Sequence, residues 1–257
     1  MKPLEGKKAI ILGLANDHSI AWGIAQALHA QGARLAFNFL GEALEKRVRP
    51  LATSLNAEII APCDVSSDEQ ISSFFKTVKE KWGEFDILIH SVAFANKEDL
   101  QGRFVDTSRA GFKLAMDISA FSLIATAKEA YQMMPASGGT IITLTYYGGE
   151  KVMKGYNVMG VAKAALEMTV KYLADDLGPQ KIRVHAISAG PIRTLAAAGG
   201  ISNFRNMLAA TAEHAPLREN VSPEDVGALA AFLCQDAAKH MTGGVTYVDA
   251  GVHIMGA

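Results

Sequence analysis

The sequence predicts a single-domain α/β protein, a Rossmann-like doubly wound parallel sheet of about seven strands with helices on both faces. Short apolar, β-branched runs alternate along the chain with longer segments of helical period. The runs are almost continuously apolar, as in strands that helices cover on both faces, and right-handed βαβ crossovers usually join such strands. The 257 residues contain no linker-like stretch, so one domain over 1–257 is expected.

The elements follow one another in a regular order. The predicted strands, in chain order, are KKAIIL, RLAFNF, AEIIAPCDV, FDILIHSV, GGTIITLTYY, KIRVHAIS and GGVTYVDA. The predicted helices are IAWGIAQALHAQG, EALEKRVRPLATSL, DEQISSFFKTVKEKWG, a long helix through Met116 to Met134, and a helix that opens near Tyr156. A loop rich in Ala and Gly follows the sixth strand, and the loop and helix near 194–215 are expected to cover a bound substrate.

Composition excludes several classes of partner. A formal net charge of −1 gives no electrostatic argument for a nucleic-acid or membrane surface. Cys63 and Cys234 form no CxxC motif, and the seven histidines include no HExxH motif, so neither a disulfide framework nor a metal site is expected. His18 and His90 are predicted to pack or to form hydrogen bonds. The charged N-terminus leads into a short apolar run without a cleavage-site pattern, which favours a cytoplasmic protein.

Ligands of open α/β sheets bind outside the carboxyl ends of the strands, so the loop after the first strand is the first candidate site. Gly13 ends that strand, Ser19 and Ile20 stand where a helix begins, and Gly23 is predicted to pack closely against the sheet. Backbone N–H groups at a helix N-terminus suit the pyrophosphate of a dinucleotide. The spacing is not GxGxxG, so an ordinary strand-turn-helix with Asp17 or Ser19 as N-cap is the alternative.

Two further loops bear on the adenosine half of a dinucleotide. Asp64 and Val65 follow the third strand and are placed to contact an adenine ring, although Asp64 capping the next turn is an equal alternative. Residues 39–41, Phe-Leu-Gly, stand where an acidic residue normally binds the ribose 2′-hydroxyl of NAD. Basic residues follow nearby, at Lys46, Arg47 and Arg49. The missing acidic residue leaves NADPH open, but no Arg or Lys stands directly at residues 39–41 to hold a 2′-phosphate, so NADH is favoured.

Tyr156 and Lys163 are seven residues apart. On one helix this spacing spans two turns, about 10.5 Å, and returns both side chains to one face. The phenol then donates to an oxyanion that forms in a transition state, and the ammonium holds ribose hydroxyls. An amphipathic helix with a surface tyrosine and a surface lysine is the alternative. Tyr147 is expected to point away from Tyr146 if the fifth strand continues through both.

The segments GLANDHSIAWGIA, CDVSS, SVAFAN, LTYYGGEKVMKGYNVMGVAKAALE, HAISAGPIRTLAA and VDAGVHIMG resemble the enoyl-acyl-carrier-protein reductases of bacterial fatty-acid synthesis. These enzymes are a divergent branch of the short-chain dehydrogenase/reductase superfamily. Ordinary members place their active Tyr and Lys four residues apart with a serine upstream. This chain has a spacing of seven and Tyr146 upstream. The resemblance covers nearly the whole chain in the right order.

The resemblance implies a set of site residues. The implied catalytic residues are Tyr146, Tyr156 and Lys163. The implied cofactor contacts are Gly13, Ser19 and Ile20 at the pyrophosphate, Asp64 and Val65 at adenine, Val92 and Lys163 at the riboses, and Ile192, Arg193, Thr194, Leu195 and Ala196 at the carboxamide and phosphates. The implied substrate contacts are Ala95, Tyr146 and Tyr156. Leu40 departs from the family, because NADH-using relatives often have a polar residue there.

The expected function is the NADH-dependent reduction of the trans-2 double bond of enoyl thioesters carried on acyl carrier protein, by a homotetramer. Two alternatives are a 3-ketoacyl or other carbonyl reductase of the same superfamily and a non-catalytic dinucleotide-binding protein. Two basic groups are candidates for docking the acidic carrier protein. One is Lys151, Lys154, Arg193 and Arg205, and the other is Lys97, Arg103 and Arg109.

Overall fold

The computed structural model describes residues 2–194 and 204–256 and contains one seven-stranded parallel sheet. Its strands are β1 (Lys8–Leu12), β2 (Arg34–Phe39), β3 (Ile59–Pro62), β4 (Ile87–His90), β5 (Gly139–Thr145), β6 (Ile182–Ala189) and β7 (Val245–Val248). The strand order is β3-β2-β1-β4-β5-β6-β7, and every neighbouring pair is parallel. The predicted fold class and strand number are therefore confirmed.

Helices cover both faces of the sheet. In chain order they are α1 (Ile20–Ala30), α2 (Gly41–Ser54), α3 (Asp68–Trp82), α4 (Lys97–Leu100), α5 (Arg109–Met116), α6 (Ser122–Ala130), α7 (Val158–Leu177), α8 (Phe204–His214) and α9 (Pro223–Leu233). One apolar cluster joins α1, α2 and α9 to Ile11 and Ile89, and a second joins α3, α6 and α7 to Ile10 and Leu88. Because consecutive strand residues face opposite sides, both faces of each central strand are buried.

Gly23 explains how closely α1 and α9 approach each other. A Cβ atom at Gly23 would lie 2.2 Å from the carbonyl oxygen of Pro223, and one at Gly227 would lie 2.4 Å from the carbonyl oxygen of Gly23. The prediction that Gly23 packs against the sheet is thus wrong, because its missing side chain makes room for the first turn of α9.

The carboxyl ends of β1, β2 and β3 are tied together by one buried amide. The Gly13 backbone N–H donates to Asn38 Oδ1 at 2.9 Å, and Asn38 Nδ2 donates to the Cys63 carbonyl oxygen at 2.9 Å. Gly13 has a φ of +92°, and a Cβ there would lie 2.1 Å from the Ser91 carbonyl oxygen. Only glycine fits at this position, which fixes the start of the first loop.

A long helical segment runs over Arg109–Met133 and includes a π-turn at Asp117–Phe121 between α5 and α6. It starts earlier than Met116, where the prediction placed it, and ends at Met133. By length and composition it could cross a membrane, but half of its apolar window is buried in the domain. Since α6 packs within the cluster that holds α3 and α7, we interpret the segment as a core helix.

Candidate active site

Tyr156 lies before α7 and not on it. The helix begins at Val158, and Asn157 precedes it with a φ of +36°, a conformation that interrupts any helical continuation from Tyr156. The two-turn geometry predicted for Tyr156 and Lys163 is therefore wrong. Lys163 alone of the pair lies on the helix, and Tyr156 is held by the preceding loop.

The turn after β5 packs against both Tyr156 and Lys163 and so brings them into one site. A Cβ at Gly148 would lie 2.6 Å from the Tyr156 ring, and one at Gly149 would lie 3.1 Å from the Lys163 carbonyl carbon. The Tyr146 and Tyr156 rings pack edge to face, with centroids 5.0 Å apart and planes at 74°. Two glycines thus let the turn close on the start of α7 and place both tyrosines side by side.

Tyr147 does not continue the strand. β5 ends at Thr145, and Tyr147 begins a short 3₁₀ turn that ends at Gly149. The strand therefore does not continue through Tyr146 and Tyr147, so the prediction that Tyr147 points away from Tyr146 does not apply. The Tyr147 ring instead lies beneath the ammonium of Lys151, with Nζ 5.0 Å from the ring centroid.

Lys163 is buried, with 5% of its surface exposed. Its ammonium donates to the Leu144 carbonyl oxygen at 2.7 Å. Burial lowers the pKa of Lys163 to about 8, and the nearby Glu167 carboxylate opposes that fall. Because an ammonium has three donors, the bond to Leu144 leaves capacity to hold hydroxyl groups of a ligand.

The two tyrosines are suited to donate hydrogen bonds. Burial raises the pKa of Tyr146 to about 12, with Tyr147 adding to the effect. Burial also raises the pKa of Tyr156, and the neighbouring Tyr146 and Glu167 raise it further. Both phenols consequently keep their protons at neutral pH, so the site contains O–H donors and no phenolate base.

An apolar wall lies next to Tyr156. Ala95 and Tyr156 both pack against a small buried cluster, made of Leu100, Ala115, Val158 and Met159. Ala95 comes from the loop after β4, while Val158 and Met159 open α7. The predicted substrate contacts Ala95 and Tyr156 therefore share one apolar environment, which suits an acyl chain.

The first loop has the expected form at Ser19 and Ile20. Ser19 is the N-cap residue of α1, but its side chain makes no capping bond to the helix. Its Oγ accepts from the backbone N–H of Asn16 at 3.1 Å and that of Ala15 at 3.3 Å. The hydroxyl thus orders the loop while the first turn of α1 faces the carboxyl edge of the sheet, as a pyrophosphate requires.

Asp64 orders a turn. Its Oδ1 accepts from the Ser66 backbone N–H at 2.9 Å and from Ser66 Oγ at 2.7 Å. The N-cap of α3 is Ser67, whose side chain accepts from the Gln70 N–H. Asp64 thus caps the turn that follows β3, which was the alternative to an adenine contact, and the adenine contact stays a prediction. Val65 and Val92 pack with the α3 side of the core.

The segment after β6 is described only in part. Ile192 is buried in the cluster that contains α1, whereas Arg193 is exposed and Thr194 is half-buried. Leu195 and Ala196, together with the 195–203 part of the predicted covering segment, lie outside the described residues. Ile192, Arg193 and Thr194 thus follow the carboxyl end of β6, and the cofactor contacts of all five residues stay predictions.

The end of β2 is open at the predicted ribose position. Leu40 is 53% exposed and precedes α2. Arg49 is paired with Glu45, Nε to Oε1 at 3.0 Å, and lies over the Phe39 ring. A shallow groove of ≈ 380 Å³ runs between the first loop and α2, lined by Asn16, Asp17, Arg47, Pro50 and Leu51. Arg47 thus lines a groove together with Asn16 and Asp17 of the first loop.

Sequence reasoning missed three polar residues that shape this edge: Asn38, Thr145 and Glu167. Thr145 Oγ1 donates to Glu167 Oε1 at 2.6 Å. Asn38 had a detectable signal, since a polar residue inside an apolar strand needs a hydrogen-bond partner. The Thr145–Glu167 bond joins residues 22 positions apart and gave no local signal.

His90 forms hydrogen bonds, as predicted. Its Nδ1 lies 3.0 Å from Thr143 Oγ1 and its Nε2 2.7 Å from Ser122 Oγ, both within the core. Burial, with Lys163 nearby, lowers its pKa to about 3, so the ring is neutral. Among residues 2–194 and 204–256, no group of three or more His, Cys, Asp or Glu side chains is arranged to hold a metal ion.

The parallel sheet, its first loop and the site formed by half-buried Tyr156 and buried Lys163 define a nicotinamide-dependent oxidoreductase of the short-chain dehydrogenase/reductase class. A family model described as "Enoyl-(Acyl carrier protein) reductase" matches residues 13–253. The chain belongs to this enoyl-acyl-carrier-protein reductase family, which confirms the family and the enzyme class that the sequence predicted.

Individual relatives agree with this assignment. The enoyl-acyl-carrier-protein reductase (NADH) of Bacillus cereus is 53% identical, and that of Nostoc is 54% identical, with 100% of both chains covered in each comparison. A crystal structure of the Bacillus cereus reductase with NADP⁺ and indole naphthyridinone has a TM-score of 0.97 at 53% identity, covering 100% of both chains. The Aquifex aeolicus reductase structure has a TM-score of 0.95 at 50% identity, covering 99% of both.

Proposed function

We propose that this protein reduces the trans-2 double bond of enoyl thioesters carried on acyl carrier protein, using NADH, with Tyr156 and Lys163 as the principal catalytic residues. The single observation that carries the residue assignment is the meeting of Tyr146, Tyr156 and α7 at the turn after β5. Family membership supports the reaction, and the relatives' names support NADH as the reductant.

The residues present fit a dinucleotide. Gly13 leaves no space for a side chain where the chain turns toward the pyrophosphate position, and Ser19 holds the loop backbone in place. Lys163 presents a buried ammonium with donors to spare. When bound, reduced nicotinamide supplies the hydride that adds to the β-carbon of the enoyl thioester. Gly13, Ser19, Ile20, Asp64, Val65, Val92 and Ile192–Ala196 stay as proposed cofactor contacts.

Tyr156 is proposed to donate a hydrogen bond to the thioester carbonyl oxygen. Addition at the β-carbon moves negative charge onto that oxygen, and the α-carbon then takes a proton. A donor fixed before the reaction stabilises this charge more than it stabilises the neutral substrate. The raised pKa of Tyr156 keeps the proton on the phenol. Tyr146 supports the Tyr156 ring by edge-to-face packing and is proposed as a substrate contact together with Ala95.

Lys163 is proposed to hold the hydroxyls of the nicotinamide ribose. The Leu144 carbonyl fixes one of its N–H donors at 2.7 Å, which directs the others. A protonated lysine at this position also adds positive potential next to the oxygen that gains charge. The lysine thereby contributes to cofactor binding and, through its charge, to the step that Tyr156 assists.

A homotetramer is proposed for the assembled protein. Large apolar side chains are exposed along two helical segments, at Phe112, Phe121, Ile124 and Tyr131 on the α5–α6 segment and at Val161, Met168 and Tyr172 on α7. Ile254 and Met255 of the C-terminal tail are also exposed. We refer to these two sets of side chains as apolar stripes, and exposed apolar surface of this kind is typical of subunit contacts. The proposed location is the cytoplasm, which suits the free buried thiols of Cys63 and Cys234.

The carrier-protein docking surface stays a prediction. Lys97, Arg103, Arg109, Lys151, Lys154 and Arg193 are exposed. The Lys151 ammonium lies over Tyr147 of the active-site turn. The other group also borders the site, because Leu100, which lies between Lys97 and Arg103 in the chain, belongs to the cluster that Tyr156 packs against. The Arg205 side chain lies outside the described residues.

The test of the proposed function is absorbance in the reduced-nicotinamide band with a crotonyl thioester, with NADH and NADPH compared side by side. We expect crotonyl-dependent oxidation of NADH at a rate above that of NADPH. Oxidation with a 3-ketoacyl thioester but not with the crotonyl thioester would instead identify a carbonyl reductase. Saturable NADH binding without oxidation on any enoyl thioester would identify a binding protein.

A further inference from the structure

Two side chains one turn apart on α7 bind two consecutive residues at the end of β5. The Lys163 ammonium donates to the Leu144 carbonyl oxygen at 2.7 Å, and the Glu167 carboxylate accepts from Thr145 Oγ1 at 2.6 Å. Leu144 and Thr145 lead directly into the turn that holds Tyr146. The pair therefore fixes α7 against the strand that positions the active-site tyrosines.

The Glu167 carboxylate is enclosed by the same turn. Thr145 is 4% exposed, and Glu167 is half-buried although it is a charged residue on a helix. A Cβ at Gly149 would lie 2.8 Å from Glu167 Oε1, so the backbone of the turn closes over the carboxylate. A solvated surface glutamate would have neither this enclosure nor a buried hydroxyl partner.

Lys163 and Glu167 also influence each other's protonation. Burial lowers the pKa of Lys163 to about 8, and Glu167 is the charge that raises it. Burial raises the pKa of Glu167, which the Thr145 hydrogen bond and Lys163 both lower. Other titratable groups face the pair: His90 from β4, Glu150 from the turn, Tyr156 before α7, Lys171 on α7, and Tyr247 on β7.

We propose that Glu167 is a positioning residue of this reductase: held by Thr145 one turn from Lys163 on α7, it keeps the Lys163 ammonium charged where it meets the ribose of the nicotinamide cofactor. The inference rests on the proposed function, because it concerns how Lys163 binds that cofactor. Glu167 touches neither substrate nor cofactor and acts through Lys163.

The variant that tests it is Glu167→Gln, which removes the charge and keeps an oxygen that accepts from Thr145. The NADH dissociation constant is measured by fluorescence titration between about pH 6.5 and about pH 9.5, a range that brackets the Lys163 pKa of about 8. Loss of the neighbouring anion lowers the pKa of Lys163, so the pH above which NADH affinity falls should move down by about one unit. Near pH 8.5 the variant should bind NADH about tenfold more weakly than the wild type, with a smaller difference near pH 6.5.

Three further variants separate charge from structure. Glu167→Asp keeps the charge and should return the pH dependence toward that of the wild type. Thr145→Val removes the hydroxyl that favours ionised Glu167, so it should shift the profile in the same direction as Glu167→Gln but by less, and Thr145→Ser should restore it. Asp176→Asn removes an exposed charge from the same helix and should leave the profile unchanged.

An unshifted pH profile in Glu167→Gln, or an equal loss of NADH affinity at every pH, would overturn the inference, since a purely structural role has no pH signature. If Glu167→Gln does not fold, the Thr145→Val and Thr145→Ser pair decides by the same criterion. Failure of the proposed function is a separate result: the wild-type protein would then oxidise no NADH with a crotonyl thioester, whatever the variants do.

Discussion

At the scale of single residues, Tyr156 and Lys163 are proposed to perform different tasks in one site. Burial raises the pKa of Tyr156, so the phenol keeps its proton and is a neutral hydrogen-bond donor. Burial lowers the pKa of Lys163 to about 8, so its ammonium loses its proton only slightly above neutral pH. Substitutions at the two positions should therefore affect different measured quantities.

Replacing Tyr156 by Phe removes the donor and keeps the ring that packs on Tyr146. We expect kcat to fall by about 100- to 1,000-fold, the usual cost of losing one donor to a developing oxyanion. NADH affinity should change little. Steady-state turnover with a crotonyl thioester measures the first effect and fluorescence titration the second. Tyr146→Phe is the matched variant and should lose less turnover; full turnover in Tyr156→Phe would refute its role.

Replacing Lys163 by Ala should weaken NADH binding by about 10- to 100-fold, since it removes charged hydrogen bonds to the ribose. In the wild type, NADH affinity should fall as pH rises through about 8, because the free lysine then loses its proton. Lys76→Ala is the control, as it removes an exposed lysine from α3, a helix that carries none of the proposed site residues. Unchanged NADH affinity in Lys163→Ala would contradict the ribose assignment.

Residue identities and residue placement were predictable to different degrees. The spacing of Tyr156 and Lys163 alone left a surface pair as the alternative, and the resemblance carried by Tyr146 and the surrounding segments identified the candidate site. The sequence did not place Tyr156 correctly, because α7 begins only at Val158, after Asn157. Asn157 has a positive φ, and hydrophobic periodicity does not reveal such a backbone conformation. Glu167 is four residues after Lys163 in the sequence, but its proposed role depends on a hydrogen bond from Thr145, which only the folded chain brings close to it.

At the scale of elements, close packing of α1 on α9 holds the first loop at the edge of the sheet. Both helices share one apolar cluster with β1, and the approach depends on Gly23 and Gly227. The strands were readily predicted because helices cover both faces and leave almost uninterrupted apolar runs. The contact of Gly23 with Pro223 was not predicted, since it joins distant parts of the chain.

Replacing Gly23 by Ala should reduce the free energy of unfolding by about 1–3 kcal/mol, because the new methyl group would meet the Pro223 backbone at 2.2 Å. Thermal denaturation followed by circular dichroism measures the change. Gly244→Ala is the control, since a Cβ there meets nothing within 4 Å and the residue does not have a left-handed φ. Equal stability of the two variants would show that α1 and α9 adjust more freely than the contact indicates.

At the scale of the whole molecule, the domain leaves apolar stripes on the α5–α6 segment and on α7. Composition alone did not locate them, because a helix that is apolar on two sides does not reveal which side meets its own sheet. The long segment Arg109–Met133 shows this directly, with half of its apolar window buried in the domain.

Ile124→Glu places a charge in the stripe on α6, where the side chain is 41% exposed in the single chain. We expect the tetramer to dissociate to smaller species, as burying an unpaired charge in a contact is costly. Light scattering coupled to size-exclusion chromatography measures the mass. Leu217→Glu is the control, because Leu217 is 67% exposed and lies on neither stripe. A wild-type monomer, or an unaffected Ile124→Glu tetramer, would contradict the proposed assembly face.

In the proposed reaction the hydride adds to a carbon–carbon double bond while Tyr156 stabilises charge on the thioester oxygen. The most direct measurement uses NADH deuterated at the transferred C4 position with a crotonyl thioester, and locates the label in the product by NMR and mass spectrometry. We predict a butyryl thioester with one deuterium at its β-carbon and a solvent-derived hydrogen at its α-carbon. A product that keeps the double bond, or a deuterium at the α-carbon, would contradict the claim.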